Sequence, residues 1–110
     1  MQVITLGKIA VPTPGTPVAI ALSAAQKAML PASGNVHKIE VWPDPADTGV
    51  TKVFNGGVQV AGLPSPGTAA GGHAEPYRMG TEQGNMLNPG NWSVDNTVSG
   101  NGPFVTFLVL

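Results

Sequence analysis

No cysteine occurs among the 110 residues. That excludes disulfides, thiolate zinc sites and cysteine nucleophiles. Charge is scarce as well: five Lys+Arg stand against six Asp+Glu, for a formal net charge of −1. Such a chain has no basic field with which to neutralise phosphates, so nucleic acid is not an expected partner. No apolar run approaches the ~20 residues that cross a bilayer as a helix, and no membrane partner is expected. The opening residues, MQVITLGKIAVPTPG, lack the basic-then-apolar order of a secretion signal. The expectation is therefore a chain made and kept in the cytoplasm. Charged residues make up only 10% of the chain. The surface of a free soluble domain usually carries them at about a quarter of its positions or more. The deficit implies that partners cover much of the surface.

What is abundant is turn-forming residues: 15 Gly and 11 Pro, nearly a quarter of the chain. A load this high approaches the composition of disordered segments. Disordered chains lack strand-length apolar runs, however, and here such runs recur between the Gly/Pro clusters. The length fits one domain, since domains most often hold ~100–150 residues. The pattern predicts an all-β fold: a single-domain, jelly-roll-like β-sandwich over residues 1–110, with seven or eight short strands.

Residues 3–11 read as an extended N-terminal strand interrupted at Gly7 and closed by Pro12-Thr13-Pro14-Gly15-Thr16-Pro17. Residues 17–22 place Val18, Ile20 and Leu22 on one face, with Ala19 and Ala21 opposite. Ser23-Ala24-Ala25-Gln26 has the spacing of a capping box, and Pro31 halts any longer helix, so at most one short helix is expected over 23–30. In residues 36–42, His37, Ile39 and Val41 alternate with Val36, Lys38, Glu40 and Trp42, and Ile39 and Val41 should face the core. Residues 50–54 and 58–61 flank Asn55-Gly56-Gly57. Asn-Gly supplies the two positive-φ positions of a tight hairpin turn. Residues 62–90 form a Gly/Pro-rich excursion with short candidate strands near 73–79 and 86–87, long enough to be functional. Residues 92–98 alternate again. The closing PFVTFLVL is apolar on both faces, with Phe104, Leu108 and Leu110 on one and Val105, Phe107 and Val109 on the other. Such a strand belongs in the middle of a sandwich or at a subunit interface.

Few residues suggest chemistry. Asp47-Thr48-Gly49 matches the loop that carries the catalytic carboxylate of dimeric aspartic proteases, in which two Asp share one proton. The apolar strand that should lead into it is missing, and Pro45-Ala46 stands there instead, so a turn is the preferred reading. Asp44 and Asp47 are too few carboxylates for a calcium site. His73-Ala74-Glu75 echoes the zinc deaminases without their cysteines, and His37 has no local partner. Asn91-Trp92-Ser93 is a formal glycosylation triplet, idle without secretion. No catalytic residue, metal site or cofactor is expected. Tyr77, Arg78, Met79 and Met86 are residue types favoured at interface cores. With Trp42 and Phe107 they make up the candidate contact set.

The opening TLGKIAVPTPGTPVAIAL, the middle NVHKIEVWPDPADTGVTKVFNGGVQV and the close NWSVDNTVSGNGPFVTFLVL resemble the small all-β capsid decoration, or cement, proteins of tailed bacteriophages. The shared features are a Thr-Leu-Gly strand, a Thr-Pro-Gly-Thr-Pro-Val turn, a Thr-Gly turn into a Lys-Val strand, and a Gly turn before an apolar last strand. The resemblance fails over residues 63–87. It implies a non-enzymatic virion protein on the capsid exterior, assembled in the host cytoplasm, with the major capsid protein and its own copies (dimer or trimer) as partners. Two rivals remain: a fibre or spike module binding glycan through Trp42, Tyr77 or Trp92, and, remotely, an aspartic protease using Asp47.

Overall fold

The computed structural model describes residues 2–65, 76–80 and 84–110. Among them lie eight strands: β1 (Gln2–Lys8), β2 (Val18–Ala19), β3 (Lys38–Trp42), β4 (Val50–Asn55), β5 (Val58–Pro64), β6 (Tyr77–Gly80), β7 (Trp92–Asn96) and β8 (Phe104–Val109). They form two four-stranded sheets, ordered β1-β8-β3-β6 and β2-β7-β4-β5. Every pairing is antiparallel. The pairs are nested: β4 with β5, β3 with β6, β2 with β7 and β1 with β8. A long hairpin rolled upon itself gives this order, so the fold is the expected jelly roll.

Alternation decides which side of each strand enters the core. Ile4 and Leu6 of β1, Ile39 and Val41 of β3, and Val105, Phe107 and Val109 of β8 line the inner face of the first sheet. Val53 of β4, Leu63 of β5, and Trp92 and Val94 of β7 oppose them from the second. Each fully buried side chain of this size contributes about 1.5–3 kcal/mol relative to exposure. After β2 the chain turns through α1 (Ala24–Lys27), none of whose residues is buried. The capping box is formed there as expected: the Gln26 N–H donates to Ser23 Oγ at 3.1 Å, and the Ser23 N–H to Gln26 Oε1 at 2.8 Å. Leu22 and Leu30, on either side of the helix, pack on the core.

Several elements depart from the sequence reading for identifiable reasons. The hairpin forms, but its two-residue turn is Gly56-Gly57, with φ of 59° and 82°, while Asn55 pairs with Val58 as the last strand residue. Gly takes left-handed backbone without steric cost, so the turn settles one residue later than Asn-Gly would place it. Alternation puts Val36 among the outward residues, yet it is fully buried. The chain bends at His37, and Val36 makes an isolated bridge with Leu87, so the alternation restarts at Lys38. The expected strand at 17–22 is only two residues long, although its inward residues Val18, Ile20 and Leu22 are as anticipated. Within the 62–90 excursion, residues 77–80 form β6, and a short 3-10 turn, Pro89–Asn91, leads into β7. The 73–75 part of the expected strand, with His73 and Glu75, lies outside the described residues.

The Pro-rich connection between β1 and β2 lies against the outer face of the second sheet. There the Gly15 N–H, at φ 89°, donates to both carboxylate oxygens of Asp95 at 3.1 Å. Tightest of all is Gly102. A Cβ on it would collide with the backbone oxygen of Ile9. No side-chain rotation relieves a clash with backbone. Gly102→Ala is therefore expected to cost about 3 kcal/mol or more in urea unfolding. Gly7→Ala, whose Cβ would meet nothing within 4 Å, should stay within about 0.5 kcal/mol of the unaltered protein.

Candidate interaction surface and the loop corner

The Asp-Thr-Gly triplet sits at one end of the sandwich, where three connections meet. Asp47 is 3% exposed. Its Oδ1 accepts from Lys8 Nζ at 2.7 Å and its Oδ2 from the Gly102 N–H at 2.8 Å. Lys8 Nζ also donates to Asp44 Oδ2 at 2.9 Å, and Asp44 Oδ1 accepts from the Ala46 N–H at 2.9 Å. With its amide turned so that oxygen faces donors, Asn101 accepts from the N–H groups of Thr48 and Gly49 at 3.1 and 3.2 Å. One cation and one backbone amide thus occupy the carboxylate that the protease reading would need as acid and base. The hydrogen bonds to Asp44 and then Asp47 hold the Lys8 ammonium above its ordinary pKa. The same Lys8 bond, with help from the Ala46 amide, holds the Asp44 carboxyl below its own. Among the described residues, neither Asp has a further carboxylate or His partner, and no metal-binding group of three or more such residues occurs.

The outer face of the first sheet is of a different character. Residues paired across antiparallel strands share a face. The register places Val3, Leu108 and Lys38 in one row, Thr5, Thr106, Glu40 and Arg78 in the next, and Lys8, Phe104 and Trp42 in a third. Val3 is 53%, Trp42 36%, Phe104 38% and Leu110 59% exposed. Arg78 stands in the polar row between the two apolar ends of this face. Its Nε donates to Glu40 Oε2 at 2.8 Å, and its guanidinium carbon lies 5.4 Å from the centre of the Trp42 ring. Each contact is worth at most about 1 kcal/mol at a solvated site, enough to bias the ring's orientation.

Of the six contact residues named from sequence, this surface holds Trp42 and Arg78. Met79 shares the inner-face register of Ile39 but lies on the edge strand β6, and is 37% exposed. Met86, 61% exposed, stands on the connection before Leu87. Tyr77 turns inward: it pairs with Val41, and its ring centre lies 6.0 Å from that of Trp92. Burial raises its hydroxyl pKa. Phe107 is a correction. It is fully buried between Ile4 and Ile39, in the strand at the middle of its sheet, and reaches no surface. The residue that sequence reading passed over is Phe104. Thr106 carried the signal, because a polar residue in the middle of an apolar strand marks the face shared with Phe104 and Leu108 as the outward one. His37, without a local partner in sequence, has one in the fold: its Nδ1 lies 3.0 Å from the Gly84 carbonyl oxygen.

The loop corner makes a pH prediction. Asp44 titrates lower when folded, so its contribution is present above the ordinary carboxylate pKa near 3.8 and fades as pH falls through the folded value. Lys8 titrates higher when folded, so its contribution is complete below 10.5 and fades as pH rises through the folded value. Unfolding free energy measured against pH should therefore be flat between these limits and fall on both sides. Lys8→Met should flatten both arms and cost about 2 kcal/mol at neutral pH, because it strands the buried Asp47; this is below the range for fully buried pairs, since Lys8 is partly solvated. Comparison with protein families, curated proteins and solved structures returned no match.

Proposed function

We propose that this chain is a capsid decoration protein of a tailed bacteriophage. It seats the outer face of the β1-β8-β3-β6 sheet on the exterior of an assembled head and ties neighbouring coat subunits together. The role is structural and involves no reaction. The observation that carries it is exposed apolar surface at both ends of this face, Val3 with Leu110 at one and Phe104 with Trp42 at the other, framed on an interior strand and separated by the polar row of Thr5, Thr106, Glu40 and Arg78. Exposed apolar side chains set among polar ones mark a site of association. A strand in mid-sheet gives that surface a rigid frame, so little ordering entropy is lost on contact. The resemblance of the turn and strand motifs to cement proteins supports the same partner, the major capsid protein. Each contact can be weak, because a closed shell repeats it many times and avidity does the rest.

The rival readings have less support from the geometry. A glycan-binding face needs open aromatic rings. Trp92 is 2% exposed, Tyr77 packs against it, and Arg78 lies over Trp42. The protease reading needs Asp47 free to share a proton, and Lys8 and Gly102 hold it.

Co-sedimentation with expanded heads lacking the protein tests the proposal. The expected result is saturable binding at a fixed ratio to coat protein, with none to unassembled coat subunits. Trp42→Ala and Phe104→Ser should each weaken binding about tenfold or more, as truncated anchors at interface centres do, with the thermal midpoint little changed. A well-folded protein that ignores the heads would overturn it.

A further inference from the structure

On the outer face of the first sheet, one cation is left unpaired by the chain itself. Lys8, Lys38 and Arg78 stand on this face, with Glu40 among them and Asp44 and Asp47 at its rim. Lys8 is held by Asp44 and Asp47, and Arg78 by Glu40. Lys38 makes no ion pair among the described residues. It is half-buried all the same.

Gly80 accounts for that placement. It pairs with Lys38 across the sheet, at the end of the edge strand β6. A Cβ on Gly80 would lie 3.4 Å from Lys38 Cγ, 3.7 Å from Cδ and 3.8 Å from Cε. The methylene stem thus runs along the glycine, over the space a side chain would fill. A glycine in a strand often marks such a close approach. A lysine held by its stem keeps its ammonium outward, in water. On its other side Lys38 pairs with Leu108, and Val3 lies beyond in the same row.

Arg78 brings further donors to this spot. It is opposite Glu40, so Lys38 and Arg78 are diagonal neighbours on one face. Such neighbours lie about 7–8 Å apart, within reach of long side chains. Among the described residues only the Nε of Arg78 is engaged, by Glu40 Oε2, with the guanidinium laid over the Trp42 ring. Its two Nη groups still have hydrogens to donate.

We propose that Lys38 and Arg78 together receive a carboxylate of the coat protein, an Asp or Glu side chain set in apolar surroundings. The inference rests on the docking of this face proposed above and gives the chemistry of what docks there. The carboxylate accepts from Lys38 Nζ and from an Arg78 Nη, while Arg78 keeps Glu40 through Nε. Its apolar surroundings meet Val3 and Leu108. The three cations of the face are matched by Glu40, Asp44 and Asp47. The pair therefore acts on contact, fixing the register of docking instead of drawing the partner from afar. A stem already laid on Gly80 loses little freedom on pairing.

Carbodiimide treatment of heads saturated with the protein tests it, because the reagent condenses an amine with a carboxylate in contact. The expected product is a cross-link from Lys38 to a coat Asp or Glu, with none from Lys27 on α1 or Lys52 on β4. Lys38→Met keeps an apolar stem on Gly80 and removes the charge. It should weaken head binding about fivefold, the upper end for a partly solvated ion pair, with the circular dichroism unchanged. Lys38→Glu should weaken it further. The absence of a Lys38 cross-link on saturated heads, or unaltered affinity in Lys38→Met, would overturn the inference and leave the docking of this face standing. Heads that the unaltered protein does not bind would remove both.

Discussion

One buried carboxylate, Asp47, ties together the three connections on which the sandwich closes. Lys8 ends β1, Asp47 lies between β3 and β4, and Gly102 lies between β7 and β8, and both oxygens of Asp47 are spent joining them. Around this point the backbone leaves no slack. The ladder of β1 runs on through the bond from the Ile9 N–H to Pro103 O at 2.9 Å and that from the Val11 N–H to Asn101 O at 2.8 Å. Gly102 fits against Ile9 and Gly49 against Asn96, each where a side chain would collide. A carboxylate desolvated this far is tolerable only because a cation and an amide replace its water. Removing either partner would therefore leave a buried, undercompensated charge at this end of the sandwich, and not merely cancel a contact.

Legibility in the sequence depended on the range of the interactions. The capping box of α1 was readable because Ser23 and Gln26 are three residues apart and satisfy each other. The β4–β5 hairpin was readable for the same reason, down to a one-residue choice between neighbouring positions that glycine decided. Core faces came from alternation wherever it was unbroken, as at Ile39 and Val41. It misled at Val36, because a bend at His37 resets the count and nothing local announces it. The corner was hidden altogether: Lys8 and Asp47 are 39 positions apart, and Asp47 and Gly102 are 55. At that range a turn-forming Asp and a clamping Asp look alike. Phe107 was misplaced because an apolar strand offers two candidate faces, and the one local cue that separates them is Thr106, which shares the outward face with Phe104 and Leu108.

The scarcity of charge takes on a sharper meaning in the fold. Of the five Lys+Arg and six Asp+Glu, Lys8, Asp44, Asp47, Glu40, Arg78 and Asp95 are engaged within the chain. These charges orient loops and a ring. On the outer face of the first sheet, Lys8, Lys38, Glu40 and Arg78 stand among the apolar side chains, and all but Lys38 are held in ion pairs. Docking of that face desolvates ions that are already paired, which lowers the cost of stripping their water. The face also gains little electrostatic steering, so association through it should be governed by shape and by repetition rather than by long-range attraction.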